Sequence, residues 1–380
     1  MRICFLCSDY PPGPHGGIGT MTRVLGRALV SAGHNVRVAG VYQPSYPAPD
    51  RHQADGIDVW RLREPQRPGG WILARRELWK LVAGWARAGE IDIVEAPDYE
   101  GWIALWPDLP VPVVSRLHGS QGYFAAEMAQ PPWTLTSRLE QRALLRADAY
   151  VSVSRYTAEK TRDLFGLWRG PEQVIYNPVE TGSELPPAAE RTHDVVFSGT
   201  LVEKKGVIPL MRSWPAVRAA VPDAVLHVLG KAGRAPDGRG MVDYLRSLLP
   251  PEAVDSVHFH GHVTREVLFR MLSRAGAAVF PSFAEAFAIA PLEAMTCGIP
   301  TVYSTRGSGP ELIEPGVDGM LVDPGDPPGI SAALIGILED PARAARIGEA
   351  GRRKIRERFS MKAILPRNLA FYERMIARKR

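Results

Sequence analysis

Two glutamates, Glu285 and Glu293, stand eight residues apart within PSFAEAFAIAPLEAMTCGIPTVYSTRGSGP, residues 281–310. The apolar run AGAAVF leads into them and the helix-forming PLEAMTC follows, with Pro291 suited to a first helical turn and Gly298 to a helix end. The pattern predicts a strand, a turn carrying Glu285, and Glu293 in the first turn of the next helix. Carboxylates accept hydrogen bonds from sugar hydroxyls, and a helix N-terminus offers backbone N–H groups to phosphate. The pair therefore suits a polyhydroxylated, phosphorylated ligand. On these residues alone a plainer reading stays open, in which Glu293 stabilises the positive end of its helix and Glu285 is a solvated loop charge.

Three other stretches could take part in such chemistry. PPGPHGGIGT follows a first strand and opens a helix, and its Gly16, Gly17 and Gly19 would let backbone approach a bulky anion. It lacks the G-x-G-x-x-G spacing of a dinucleotide fold, and by itself it is also what a bare turn looks like. Arg116-Leu117-His118-Gly119 ends the strand-like VPVVSRL, placing His118 at the edge where ligands bind in an α/β sheet, although a lone histidine is often structural. FSGTLVEKKG, residues 197–206, follows another strand, and its Lys204-Lys205 pair alone reads as a solvated basic turn.

The elements that must position these residues are legible as alternation. Short β-rich runs at 2–8, 35–41, 57–62, 91–96, 111–117 and 149–154 are separated by helical patterns, the first over 19–31. The proline-rich ETGSELPPAAER, residues 180–191, reads as a linker, and the alternation restarts with DVVFSG, AVLHVLG, SVHFHG and AAVFPS. This predicts an α/β protein of two doubly wound, Rossmann-like parallel-sheet domains facing a cleft, 1–180 and 190–361, with helices over 341–358 and 361–377 at the end.

Composition agrees and narrows the field. With 380 residues the chain can form two domains, and 45% hydrophobic with 23% charged residues is a globular balance. A formal charge of +5 suits phosphorylated small molecules or an anionic surface and is too weak to argue for nucleic acid. Cys4, Cys7 and Cys297 are expected as buried thiols in a reducing, cytoplasmic setting, since C-x-x-C at 4–7 has no second pair and lies in a strand. The N-terminal apolar run is too short for a signal peptide, and no stretch approaches the ~20 residues that span a bilayer.

EAFAIAPLEAMTCGIP resembles the E-x7-E signature of retaining glycosyltransferases of family 4, which read E-G-F-G-x-x-x-L-E-A-M-A-x-G-x-P and have the GT-B fold. Ala286 and Ala288 replace the two loop glycines, so the turn must avoid positive φ or be held there by its surroundings. The loop at 11–20 matches P-P-x-x-G-G-x-G, and 197–206 matches G-R-x-x-x-x-K-G with Thr200 in the arginine position. Ser308-Gly309-Pro310-Glu311 and the expected hairpin at 317–322 match two further stretches.

The resemblance implies a metal-independent, retaining transferase without a cofactor, moving sugar from a nucleotide-diphosphate donor, UDP-linked by preference, to a glycan, glycolipid or small-molecule hydroxyl. Within it Glu285 would orient the donor sugar, Glu293 the ribose, and Lys205 the diphosphate, with His118 beside the breaking bond. Gly16, Gly17 and Gly19, Thr200 and the backbone of Phe287, Ala288 and Ile289 would complete the donor site. Thr200 supplies no charge, so one cationic contact is missing or comes from elsewhere, with Arg306 and Lys204 as candidate substitutes. The last helix, 362–380, would pack on the N-terminal domain. No Asp-x-Asp is present to hold a donor-bound metal. Alternatives are a non-catalytic sugar-nucleotide binder or a natural-product glycosyltransferase.

WILARRELWKLVAGWARA, residues 71–88, is a helix with Trp71, Ala74, Leu78, Leu81, Val82 and Trp85 on one face. Arg75, Arg76, Lys80 and Arg87 lie mainly opposite, with Trp79 among them. It reads as a core-facing helix with a solvated basic side, or as an interfacial helix giving peripheral contact with the inner face of a membrane.

Overall fold

The computed structural model describes residues 1–180 and 191–379, which form two compact units: Met1–Pro178 with Met361–Arg380, and Val179–Ser360. Most of the 180–191 linker stretch lies outside the described residues.

The first unit is built on β1 (Arg2–Leu6), β2 (Asn35–Tyr42), β3 (Arg51–Ala54), β4 (Ile57–Arg63), β5 (Ile93–Pro97), β6 (Val113–Leu117), β7 (Ala149–Ser152) and β8 (Gln173–Val174). The sheet runs β3-β4-β2-β1-β5-β6-β7-β8, parallel throughout except for β3 against β4. The apolar runs of the sequence are the interior strands, buried on both faces by crossover helices. The strand β3, with sequence RHQA, carries no apolar alternation, and at the sheet edge it adds to its backbone pairing with β4 the stacking of Arg51 on Trp60 and a contact of His52 with Arg61 at 2.8 Å.

The second unit holds β9 (Val195–Ser198), β10 (Leu226–Leu229), β11 (Val257–Gly261), β12 (Ala277–Phe280), β13 (Thr301–Ser304) and β14 (Met320–Val322). All pairs are parallel, in the order β11-β10-β9-β12-β13-β14. The hairpin expected at 317–322 is absent. Its turn closes earlier, with Gly316 N–H on the Gly319 carbonyl at 2.8 Å, and β14 then joins β13 in parallel after a helical crossover. In each sheet the strand order reverses beside the first strand, β1 or β9, and that switch point is where ligands enter this architecture.

Three further expectations change. The helix Gly70–Arg87 buries Arg75, which was expected on the solvated side. Its guanidinium lies 4.7 Å from the Trp102 ring centre and donates to the Glu100 carbonyl at 2.6 Å, so aromatic faces and a carbonyl replace water. Trp79 is half-buried, its Nε1–H on the Pro107 carbonyl at 3.2 Å. Cys4 and Cys7 are buried but Cys297 only partly so, and burial pushes the Cys4 and Cys297 thiols up to about 12.

The penultimate helix ends at Lys354 and continues as a π-turn, Ile355–Phe359, before Ser360 breaks the chain. The final helix, Met361–Lys379, packs in the first unit. There Arg116 Nη2 donates to Asn368 Oδ1 at 2.7 Å, and the Tyr372 hydroxyl donates to Glu95 Oε2 at 2.8 Å. Among the described residues no helix is long and apolar enough to cross a membrane.

Candidate active site

The two central strands of the second sheet, β9 and β12, end side by side, so the loops that leave them touch. After β9 the chain passes Gly199 and the exposed Thr200, makes a 3-10 turn over Glu203–Lys205, and enters the helix Val207–Ala220 through Gly206. Gly206 has φ +70°, and a Cβ there would sit 1.7 Å from the Pro281 carbonyl oxygen, so glycine is required twice over. Phe283 N–H closes the contact on the Lys204 carbonyl at 2.8 Å. Lys205 and Glu285, eighty positions apart in the chain, are thereby brought into an ion pair through Nζ and Oε1, with the Ser282 hydroxyl 3.4 Å from the same carboxylate.

Ala286 and Ala288 settle how this loop dispenses with glycine. Neither lies at positive φ, where the non-glycine residues are Asp55, Glu100 and Ala129. Ala288 is extended, with φ −72° and ψ 139°, and caps the helix Ile289–Thr296. The Phe287 ring is buried 5.6 Å from that of Phe359, leaving its backbone rather than its side chain to meet a ligand. The helix stops as expected, with Gly298 at φ +68°.

Glu293 differs from expectation in one respect. The helix starts at Ile289, so Glu293 is its fifth residue and lies beyond the first turn. Its carboxylate is largely buried, 3.6 Å from Arg265 Nε, and Arg265 also pairs with Glu180. Burial pushes the Glu293 carboxyl up to about 7, against the pull of Arg265. Arg306, one proposed substitute for the missing arginine, pairs with Asp323 at 3.2 Å. Lys204, the other, is partly buried, and desolvation lowers its pKa while Glu285 opposes the shift.

In the first unit, the loop after β1 is held by Asp9 and Arg61. Asp9 Oδ2 accepts the Gly16 N–H at 2.7 Å. A Cβ on Gly19 would lie 2.2 Å from the Asp9 carbonyl oxygen, whereas a Cβ on Gly17 would meet nothing within 4 Å. Gly19 is thus needed for packing, while Gly17 faces open space. Arg61, buried on β4, donates to the carbonyls of Tyr10 and Pro11 at 3.0 and 2.9 Å.

His118 follows β6, half-buried, and burial beside Arg116 lowers its pKa to about 3, so its imidazole is neutral. Its position is set by Asp98, at the carboxyl end of β5, whose oxygens accept the N–H groups of His118 and Gly119 at 2.8 and 3.2 Å. Burial pushes Asp98 up to about 8. Glu140, fully buried, accepts from the N–H groups of Gln121 and Gly122 at 2.9 and 3.1 Å and so fixes the next helix start.

Asp98, Glu140 and Arg265 were missed in the sequence. Asp98 could have been found by the strand-end rule that singled out His118. Glu140 and Arg265 belong to no local pattern. Of the expected site residues, Lys205, Thr200, Glu285, Phe287, Ala288, Ile289 and Glu293 lie in the second unit, and Gly16, Gly17, Gly19 and His118 in the first.

The chain resembles known proteins in sequence and in fold. Residues 184–354 match the family described as glycosyl transferases group 1, and residues 15–183 match glycosyltransferase family 4. A glycogen synthase from Mycobacterium tuberculosis is 28% identical, with 96% of this chain and 92% of that protein covered. Sucrose-phosphate synthase from Thermosynechococcus elongatus superposes with a TM-score of 0.79 at 23% identity, covering 99% of both chains. Anabaena HepE in complex with UDP-glucose superposes with a TM-score of 0.74 at 21% identity, covering 97% of this chain and 99% of that one.

Proposed function

Because the chain belongs to glycosyltransferase family 4 and has its GT-B fold, we propose that it is a retaining, metal-independent transferase using a nucleotide-diphosphate sugar. UDP is the preferred nucleotide and a hydroxyl of a growing glycan or glycolipid the acceptor. The observation that carries this reading is the Lys205–Glu285 pair at the carboxyl edge of the second sheet, with Glu293 in the helix that follows. A donor entering there exchanges partners with the pair. Its diphosphate takes the Lys205 ammonium, and the freed Glu285 carboxylate accepts hydrogen bonds from the sugar hydroxyls.

Departure of the nucleoside diphosphate breaks the bond from the sugar C1 to the phosphate oxygen. Negative charge grows on that oxygen, and Lys205 with the N–H groups opening the helix Ile289–Thr296 stabilises it without a metal. The acceptor oxygen enters on the same face and passes its proton to the departing phosphate oxygen as the new C–O bond forms. The neutral His118 imidazole can donate a hydrogen bond to the sugar without adding charge beside the leaving group. Thr200 donates one hydrogen bond, and Gly17 offers unobstructed backbone to the donor.

The test is a panel of UDP-, GDP-, ADP- and dTDP-sugars, with thermal shift and slow nucleotide release measured beside Glu285→Gln and Lys205→Ala. One donor is expected to stabilise the protein and to be hydrolysed, with turnover lost in both variants. Stabilisation without release, even with glycan acceptors added, would make the chain a sugar-nucleotide binder. No response from folded protein would remove the donor site.

A further inference from the structure

The largest concentration of exposed apolar side chains lies away from both loop clusters, in the first unit. Trp133 is 50% exposed, Leu135 64%, Leu145 52% and Leu105 42%. Three of them border the helix Leu135–Arg146, on which Leu135, Arg138, Arg142 and Leu145 follow one another at helical spacing along a single outward stripe. Leu105, Trp133, Arg138, Arg142 and Leu145 line an open groove of about 650 Å³, and Leu135 stands exposed at the start of the helix.

This surface is held rigid from beneath. Thr134 and Ser137 cap the helix reciprocally, and Ala143 and Leu144 are buried on its inner side. Arg142 Nε donates to the Ala104 carbonyl at 2.9 Å, tying the helix to the segment that carries Leu105. The helix has a single acidic residue, Glu140, and it is turned inward onto backbone N–H groups. The outward stripe therefore carries leucines and arginines with no carboxylate among them.

We propose that the outward face of the helix Leu135–Arg146, with Trp133 and Leu105 beside it, docks on a lipid surface rich in anionic headgroups. The chemistry selects that occupant. Tryptophan and leucine enter the boundary between headgroup and acyl chain, while guanidinium groups take phosphate. A second copy meeting this face across a two-fold axis would set arginine against arginine with no acidic partner. The helix Gly70–Arg87 is the poorer candidate. Trp85 is buried, Trp71 and Trp79 are half-buried, and Ile72 is the one large apolar residue exposed beside Arg76, Glu77, Lys80 and Arg87.

This inference is independent of the transfer reaction, and its test needs no substrate. The full chain is floated with vesicles of phosphatidylcholine alone, or mixed with phosphatidylglycerol, at low and physiological salt. Binding is expected only with the anionic lipid and should weaken as salt rises. Leu135→Ser with Leu145→Ser should reduce it at least tenfold, and Arg138→Glu by about fivefold or more. Arg76→Glu with Lys80→Glu, on the other helix, should leave it within about twofold. Circular dichroism establishes that each variant is folded, so that lost binding reports the surface. Failure of the native chain to bind anionic vesicles overturns the proposal. So does binding that survives the Leu135/Leu145 variant, or binding abolished by the Arg76/Lys80 variant alone. Concentration-dependent dimerisation that disappears in the Leu135/Leu145 variant, without lipid binding, would assign the face to self-association instead.

Discussion

Lys205 and Glu285 form an ion pair whose side chains are 25% and 11% exposed. Removing the ammonium leaves a largely buried carboxylate uncompensated, so Lys205→Ala should cost about 1–3 kcal/mol in chemical denaturation. In the proposed transfer the same variant should lose about 10²–10³ in kcat, since there the cation acts where charge develops on the leaving oxygen. Glu293 predicts a pH dependence. Folding raises its carboxyl from 4.5 to about 7, so between those values the folded chain keeps a proton that the unfolded chain releases. Stability should therefore fall as pH rises from about 4.5 to about 7, by on the order of 3 kcal/mol. Glu293→Gln should remove that slope in denaturant titrations. The ionised carboxylate is also the better acceptor for ribose hydroxyls, so donor KM should fall as pH rises through about 7 in the native enzyme and stay flatter in the variant.

The loops are placed by close backbone approach, and glycine substitutions separate packing from ligand contact. Gly206→Ala forces a Cβ against the Pro281 carbonyl at positive φ. It should destabilise the protein by more than about 2 kcal/mol and displace Lys205. Gly17→Ala meets no neighbour at the first position of its helix, so stability should hold or rise by up to about 1 kcal/mol. Donor KM should rise nonetheless if this backbone faces the diphosphate, and steady-state kinetics beside thermal melts distinguish the two. The same physics explains what was readable beforehand. Interior strands announce themselves as β-branched runs because both their faces are buried, and the loop between Pro281 and the helix at Ile289 carries its signature in a short stretch. The edge strand β3 has no core face, and the partners of its Arg51 and His52, Trp60 and Arg61, lie on the neighbouring strand, so its own sequence shows no apolar alternation. Arg75 was misplaced because helical periodicity reports only which way a residue points, and it cannot register the indole of Trp102 waiting across the interface. Asp98 and Glu140 act on N–H groups that are adjacent only after folding, and Arg265 reaches Glu293 the same way.

At the scale of the whole molecule, the first unit is assembled from two segments that flank the second unit in sequence. Arg116 is buried on β6, with Glu95 accepting from its Nε and Nη2 at 2.7 and 2.8 Å, and Asn368 on the last helix supplies a further acceptor. Removing a neutral acceptor from a buried guanidinium leaves one of its hydrogen bonds unmade without unpairing the charge. Asn368→Ala should therefore cost about 1.5–3 kcal/mol, measured by denaturant unfolding of the full chain. Tyr372→Phe, which removes a donor to Glu95, should cost a similar amount. Deleting residues 361–380 should leave the first unit unable to reach its native thermal transition.

That arrangement also orders events during synthesis. The second unit is one uninterrupted stretch, complete once Ser360 has left the ribosome, and it can fold while the chain is still attached. The first unit begins earlier but finishes later, because the side chains that complete its buried cluster are translated after the whole of the second unit. For the time needed to make the intervening residues, the older half of the nascent chain carries an unfinished core, and that interval is when it would most need protection from chaperones.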